Sequence, residues 1–402
     1  MSDSSLTNKN FLIYLIGNTI SLHGLWVYRL ALGWLAWQLT ESEFWVGTVA
    51  FTQYFPIVLF GPLFGVLADR FDRRAALMFI HSISAMNMLL LTMLTAFGKV
   101  DIYILCVLSL MQGVSDSAMT PIRLALIPNL VPRHQLQSAV AFNSVSFNVS
   151  RFIGPAIAGV LIALFGVTSA FAFNGVTYTA ILAALFMVKL APAEERIQRH
   201  GEVWQDMKEG IHYAMAQPTI RQVLIVLGVS AVLARGPLEL LPAFADDVFD
   251  LGSGGLAILT SAAGGGAIIA GLLLSQGLRS LRIETVASTI AAVGVLIAMF
   301  GLTNEFWIAV GIVALLGFGL SLSGVGSQIL LQNAADDQYR GRVSSFWALT
   351  TFGGTALGGL VVGGFSSLWG LNATTVCSGI LCSLLALLVL WRKRSGNDSD
   401  QE

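Results

Sequence analysis

The chain carries 402 residues, 55% of them hydrophobic and 11% charged, with a formal net charge of −1 and a mean hydropathy of +0.75. Soluble domains average about 25% charged residues, so this composition excludes a soluble surface and makes a bilayer the solvent. Nothing in it speaks for a nucleic-acid partner.

A spanning helix needs roughly 20 mostly apolar residues. Twelve stretches qualify, at about 11–38, 45–68, 74–97, 102–127, 137–165, 168–190, 219–244, 254–277, 283–301, 304–331, 342–368 and 370–391. The start, MSDSSLTNKNF, is polar and nearly uncharged, and no small-residue cleavage site precedes the first span, so no cleaved signal peptide is expected. Cys106, Cys377 and Cys382 all fall within apolar runs, which gives no disulfide or metal framework. The longest polar break, 191–218, separates a first half at 1–190 from a second at 219–402. In it Val203, Met207 and Ile211 recur at four-residue spacing with charges between, the pattern of an amphipathic interfacial helix or of a linker with some helix.

Basic residues sort by position. Of 22 Lys and Arg, 17 lie in or beside alternate breaks: Lys9, Arg70, Arg73, Arg74, Arg133, Lys189, Arg196, Arg199, Lys208, Arg221, Arg279, Arg282, Arg340, Arg342, Arg392, Lys393 and Arg394. The opposite breaks hold Lys99 alone. By the positive-inside rule both termini are expected in the cytoplasm, in a multi-pass protein of a bacterial inner membrane. Arg29, Arg123, Arg151 and Arg235 remain, inside or at the edge of apolar stretches.

The halves resemble one another. AFNSVSFNVSRFIGPAIAGVL aligns with SFWALTTFGGTALGGLVVGGF at a constant offset of 204, under which Phe142 meets Phe346, Gly154 meets Gly358 and Gly159 meets Gly363. A shared Gly-Val opening further pairs Gly113 with Gly324. Two six-helix repeats of like orientation, with a central cavity suited to alternating access, explain this.

Between the second and third spans, GPLFGVLADRFDRRAAL resembles the signature loop of the major facilitator superfamily through Gly65, Asp69, Arg70, Arg73 and Arg74, with Asp72 where that pattern has a second glycine. The resemblance implies an all-α protein of twelve transmembrane helices in two pseudo-symmetric six-helix bundles, and a conformational latch built from those five residues. Alone, the arginines need only set topology, but that does not account for Gly65 and Asp69 in register. The second-half copy keeps Gly271 and Arg279 but has Ser275 in place of the aspartate. SRFIGPAIAG in the fifth span resembles the superfamily's antiporter pattern at Gly154, Pro155 and Gly159, with Ser150 and Ala158 replacing two glycines. Small residues allow close packing and Pro155 permits a bend. In the fourth span Gln112 and Gly113 match a family pattern, but its arginine position is Ser109. The stretch from Asp116 to Pro155, and the opening GNTISLHGLWVYRLALGWLAWQLTES, more narrowly resemble the branch of enterobactin-type siderophore exporters, whose relatives include macrolide exporters.

A charge at mid-membrane costs at least about 2.5 kcal/mol on insertion scales, so the charged residues within spans should face protein or water. Asp116 and Arg123, two helical turns apart, share a face of the fourth span; Arg123 is also near enough to the boundary to snorkel. Arg235 and Glu239 have the spacing of an intrahelical pair, and Pro237 and Pro242 predict a bent or broken seventh span. Proton coupling is assigned to Asp116 first, then Glu239, then His23, with a fixed salt bridge or cap as the plain reading of Asp116 and ordinary polar packing that of His23. Arg29 and Arg151, with Trp26, Asn143 and Phe147, are the candidate substrate-binding residues, and their charge points to an anionic or metal-chelating organic molecule.

No catalytic residues, metal or cofactor are expected, and GGGAIIAGLLLS lacks the GK[ST] of a phosphate loop. The expectation is a monomeric secondary transporter in membrane lipid, exporting a small organic substrate against protons. The alternatives are an uptake symporter or lipid-handling transporter of the same fold, and a non-transporting sensor or scaffold.

Overall fold

The computed structural model describes residues 4–67, 72–188, 203–275, 282–336 and 339–399. It is all helical in its regular elements: α1 (Lys9–Thr40), α2 (Glu43–Leu67), α3 (Arg73–Ala96), α4 (Ile102–Leu126), α5 (Leu136–Phe165), α6 (Val167–Met187), α7 (Val203–Ala216), α8 (Pro218–Leu233), α9 (Gly236–Glu239), α10 (Leu241–Ala243), α11 (Gly252–Ser275), α12 (Ile283–Leu302), α13 (Phe306–Ala334), α14 (Arg340–Trp369) and α15 (Leu371–Ser399). Among the described residues, twelve helical segments are long and apolar enough to cross a membrane. Helices suit that solvent because each satisfies its own backbone hydrogen bonds. Phe79, Leu164, Phe186, Leu272, Trp307 and Leu368 are 60% to 75% exposed. In water that would be an aggregating surface; against lipid it is a solvated one.

Short polar residues set the helix starts. Asn8 accepts from the Asn10 and Phe11 amides at the head of α1, Asp72 from Ala75 at the head of α3, and Asp101 from Ile104 at the head of α4. Each supplies an acceptor to amides that have no partner within their own helix. Asp72, the departure from the signature glycine, thereby acts as a cap.

The described residues form two compact units. The first gathers Met1–Glu41, Thr52–Ile197 and Asp250–Gly264; the second gathers Ser42–Phe51, Gln198–Phe249 and Gly265–Glu402. In the first unit Gly17 of α1 lies against Ala180 and Ala184 of α6, and Gly24 against Asn174 and Thr177, so a side chain at either would collide. In the second, Gly294 of α12 lies against Gly379 and Ser383 of α15, and Gly301 against Asn372 and Val376. Such small residues are how helices in lipid approach closely without a hydrophobic force between them.

The internal repeat reappears as packing. Gly154 of α5 sits on Trp26 of α1, and Gly358 of α14 sits on Val232 of α8. Gly159 meets Ala257 at the start of α11 within the first unit, while Gly363 meets Glu43 and Gly47 at the start of α2 within the second. Gly166 and Gly370 take the same positive φ, 78° and 88°, at the equivalent turns into α6 and α15. One expected pairing does not hold. α4 and α13 begin at Ile102 and Phe306, the same 204 apart as the later matches, so the counterpart of Gly113 is Gly317, not Gly324.

The seventh span is broken where its prolines predict. α8 ends at Leu233, α9 and α10 are single short turns, and Phe244–Val248 closes the segment as a π-helix. Residues 203–216 of the polar break form α7, which docks by Ala214 and Tyr213 on an apolar cluster of Ile220, Val223, Ile283, Leu331, Ala335 and Val343.

Candidate functional site

The first unit buries a polar cluster among α1, α3, α4 and α6. Asp116 is 8% exposed, and its Oδ1 accepts from Gln112 Nε2 at 3.0 Å. The same amide lies 3.1 Å from the Tyr178 hydroxyl and 3.3 Å from Ser84 Oγ. Asn87 Nδ2 donates to the Leu108 carbonyl at 3.0 Å and reaches Gln112 Oε1 at 3.4 Å. His81 stacks obliquely on Tyr178, ring centroids 5.7 Å apart. Arg29 and Arg123 both lie within Coulombic reach of the Asp116 carboxylate, Arg29 the stronger of the two. Such pairing offsets the desolvation that an isolated buried carboxylate would suffer.

Arg29 has a second neighbourhood. Its guanidinium lies 5.0 Å from the Trp26 ring centroid and 5.4 Å from that of Tyr54, and Arg151 lies 5.5 Å from the same indole. Phe147 meets Trp26 edge-on at 5.7 Å. Trp26 therefore carries two cations and an aromatic edge, a cation–π arrangement. Of the five residues expected to bind substrate, Arg29, Arg151, Trp26 and Phe147 share this cluster. Asn143 is engaged elsewhere, accepting from Asn18 Nδ2 at 3.2 Å.

The other candidates are more scattered. His23 Nδ1 sits 2.7 Å from the Thr19 carbonyl and 3.1 Å from Ser150 Oγ, so its ring is held by α1 and α5. Arg123 is half-buried: its Nε is covered, and its charge acts on Tyr14, His81 and Asp116. In the second unit a helix break separates α8 from α9, with Arg235 as the residue before α9 and Glu239 as its last. The arginine reaches across to the Leu320 carbonyl at 3.4 Å. Of the latch residues, Gly65 lies in α2, while Asp69 and Arg70 lie outside the described residues, as does Arg279 of the second copy. Arg73 donates to the Ala125 carbonyl at 3.1 Å and to Asn129 Oδ1 at 2.7 Å, and Arg74 to the Phe186 carbonyl at 2.6 Å. Both arginines thus satisfy groups at the ends of α4 and α6, where cations are favoured.

Sequence reasoning missed Ser84, Asn87, His81, Tyr178 and Tyr54. The available signal was spacing: His81, Ser84 and Asn87 recur every three residues along α3, one polar line that meets Gln112 of α4 and Tyr178 of α6.

Comparison with known proteins decides the family. The model for transmembrane secretion effectors matches residues 2–402. The chain belongs to that family. It is 25% identical over 394 residues to the staphyloferrin A transporter of Staphylococcus aureus, covering 96% of this chain and 95% of the relative. It is also 25% identical over 332 residues to an enterobactin exporter of Escherichia coli, covering 81% and 78%. Among solved structures, a bacterial homolog of the human lysosomal transporter Spinster superposes with a TM-score of 0.75 at 13% identity, covering 96% of each chain. The secretion-effector chain therefore has the major facilitator fold: twelve spans in two pseudo-symmetric bundles. It is a secondary transporter that moves a small organic molecule by alternating access, not an enzyme.

Proposed function

We propose that this transporter couples protons to the export of an anionic organic molecule across a bacterial inner membrane, with Asp116 as the proton-carrying group. The observation that carries the reading is the position of Arg29, whose guanidinium lies 5.0 Å from the Trp26 ring centroid and 5.4 Å from that of Tyr54 and whose charge acts on the Asp116 carboxylate. An anionic substrate seated on Trp26 competes with Asp116 for that guanidinium. The carboxylate then loses its counterion and takes up a proton, since an unpaired charge there is unfavourable. Loading and protonation become one event. Arg151, on the same indole, supplies the second cation for the substrate.

Export is supported by the small-residue, proline-bearing α5 and by the enterobactin exporter among the relatives. The second reading is uptake by proton symport. The same fold is shared with a nucleoside transporter, at a TM-score of 0.74, and one architecture serves either direction.

The test is flux in proteoliposomes holding a hydroxycarboxylate siderophore, a catecholate siderophore or a macrolide, under a pH gradient of each sign. Export by antiport requires the gradient opposed to probe movement to accelerate flux, and Asp116→Asn to abolish that acceleration with probe binding retained. Acceleration only when proton and probe move together selects uptake. A pH dependence unchanged in Asp116→Asn removes Asp116 from the mechanism.

A further inference from the structure

Within the polar cluster one group has fewer hydrogens than oxygens around it. The Gln112 amide carries two N–H bonds, yet Asp116 Oδ1, the Tyr178 hydroxyl and Ser84 Oγ all lie between 3.0 Å and 3.3 Å from its nitrogen. Asn87 Nδ2 faces Oε1, so the amide cannot simply turn over to relieve the excess. The three oxygens belong to three helices, α4, α6 and α3. While Asp116 is ionised it only accepts, and it holds one N–H firmly because hydrogen bonds to a charged acceptor are about twice as strong as neutral ones. One N–H is left for two hydroxyls. Once Asp116 is protonated that claim weakens, and both N–H bonds can serve Tyr178 and Ser84. Asp116 Oδ2, buried and without a hydrogen-bond partner, is the oxygen on which the proton can reside.

We propose that Gln112 is a positioning residue that reports the charge of Asp116 to α3 and α6 by exchanging hydrogen-bond partners among Asp116, Ser84 and Tyr178. The proposal rests on the coupling role assigned to Asp116 above. The charged or titratable groups around that carboxylate enter the balance: Arg29 and Tyr28 from α1, Tyr54 of α2 through Arg29, Tyr178 from α6, His81 of α3 through Tyr178, and Arg123 from α4 itself. Gln112 joins the carboxylate to both α3 and α6 by hydrogen bonds, and its partner oxygens are all uncharged except Asp116. A change of charge on one helix is thereby converted into a change of bonding between two others.

Infrared difference spectra of the full chain in lipid nanodiscs, taken across a pH step, test this without a substrate. The carboxylic C=O band lost in Asp116→Asn identifies Asp116, and the ring band lost in Tyr178→Phe identifies Tyr178. In the unsubstituted protein both bands respond to pH, and Asp116→Asn silences the Tyr178 response. Gln112→Leu is expected to keep the Asp116 band and lose the Tyr178 response. Ser84→Ala, a milder change, removes one competing oxygen; two N–H bonds then serve two oxygens throughout, and the Tyr178 response is again lost. A Tyr178 response that survives in Gln112→Leu or in Ser84→Ala overturns the relay while leaving the coupling role of Asp116 intact. Absence of any titrating Asp116 band overturns both.

Discussion

The two units share a packing skeleton and differ in what they bury. Three residues past Trp26, which takes Gly154, stands Arg29; three residues past Val232, which takes Gly358, stands Arg235. Each arginine reaches the next helix in its own unit, Arg29 toward Asp116 of α4 and Arg235 toward the carbonyl of Leu320 in α13. Leu320 is the residue that corresponds to Asp116 at the repeat offset, and Cys382, which approaches the Ile290 carbonyl, corresponds to Tyr178. Gln112 likewise becomes Leu316. At the Leu320 position, then, the arginine of the second unit meets a backbone carbonyl where that of the first acts on a carboxylate within a hydrogen-bonded cluster. Duplicated folding determinants and unduplicated chemistry are thus separable in one chain: glycines and turns persist through the repeat, while the Asp116, Gln112 and Tyr178 cluster has Leu320, Leu316 and Cys382 at the matching positions.

The sharpest way to break that contrast is to remove each arginine in turn. Arg29→Met takes away the strongest positive charge acting on the buried Asp116 carboxylate, and the roughly 3–5 kcal/mol of breaking a buried pair in direct contact is the upper bound on its cost. Thermal unfolding in nanodiscs should show a large destabilisation, and probe flux should vanish. Asp116→Asn in the same background should restore most of the stability and none of the flux. Arg235→Met tests the second unit in the same way: a loss as large as that of Arg29→Met and rescued by Glu239→Gln would give this unit a buried ion pair of its own, whereas a loss near the roughly 0.5–1.5 kcal/mol of one hydrogen bond to the Leu320 carbonyl would keep the contrast.

Adding the missing charge is the converse experiment. Leu320→Asp places a carboxylate opposite Arg235, where insertion alone costs at least about 2.5 kcal/mol. If the arginine is positioned as its counterpart is, Leu320→Asp should be better tolerated with Arg235 present than in Arg235→Met. A double-mutant cycle on unfolding should give a favourable coupling of about 0.5–3 kcal/mol. No coupling would show that the skeletons are alike only in their glycines.

How much of this was legible in the chain follows the same division. The spans, the break at Pro237 and the Gly154 to Gly358 correspondence came directly from hydropathy and spacing, because lipid imposes helices and helix packing imposes small residues. Asp116, Arg29 and Trp26 stood out as polar or amphipathic groups in apolar runs. Their partnership did not: spacing tied Asp116 to Arg123 on its own helix, whereas the stronger cation comes from α1. Contacts within a helix are fixed by its period, but contacts between helices depend on rotation and register that no single segment encodes. The Gly113 to Gly324 pairing failed for a related reason, since two residues of likeness carry less than the start positions of whole helices. Ser84, Asn87 and Tyr178 are uncharged, and one uncharged polar residue barely alters hydropathy.

Packing should be indifferent to the contrast. Gly24→Val in the first unit and Gly294→Val in the second both drive a branched side chain into a facing helix. Overpacking costs about 1–3 kcal/mol. The two should destabilise alike, with Gly294→Val leaving the pH dependence of residual flux untouched. A benign result at either site would remove that glycine from the shared skeleton.

The smallest effect lies where α7 docks in the second unit. Tyr213 of α7 stacks on Tyr339, ring centroids 4.0 Å apart, and its hydroxyl accepts from the Asp336 amide at 3.0 Å. Beside it Arg342 donates to Glu209 at 3.2 Å, with side chains 28% and 51% exposed. Exposed pairs of this kind contribute about 0–1 kcal/mol and are screened by salt, whereas a hydrogen bond within a stacked aromatic contact is insulated from it. Glu209→Gln should therefore shift the unfolding temperature slightly at low ionic strength and not at all in high salt. Tyr213→Phe should lower it by the equivalent of about 0.5–1.5 kcal/mol in either condition. If Glu209→Gln were the more damaging and salt made no difference, the docking of α7 would depend on charge and not on the stacked tyrosines.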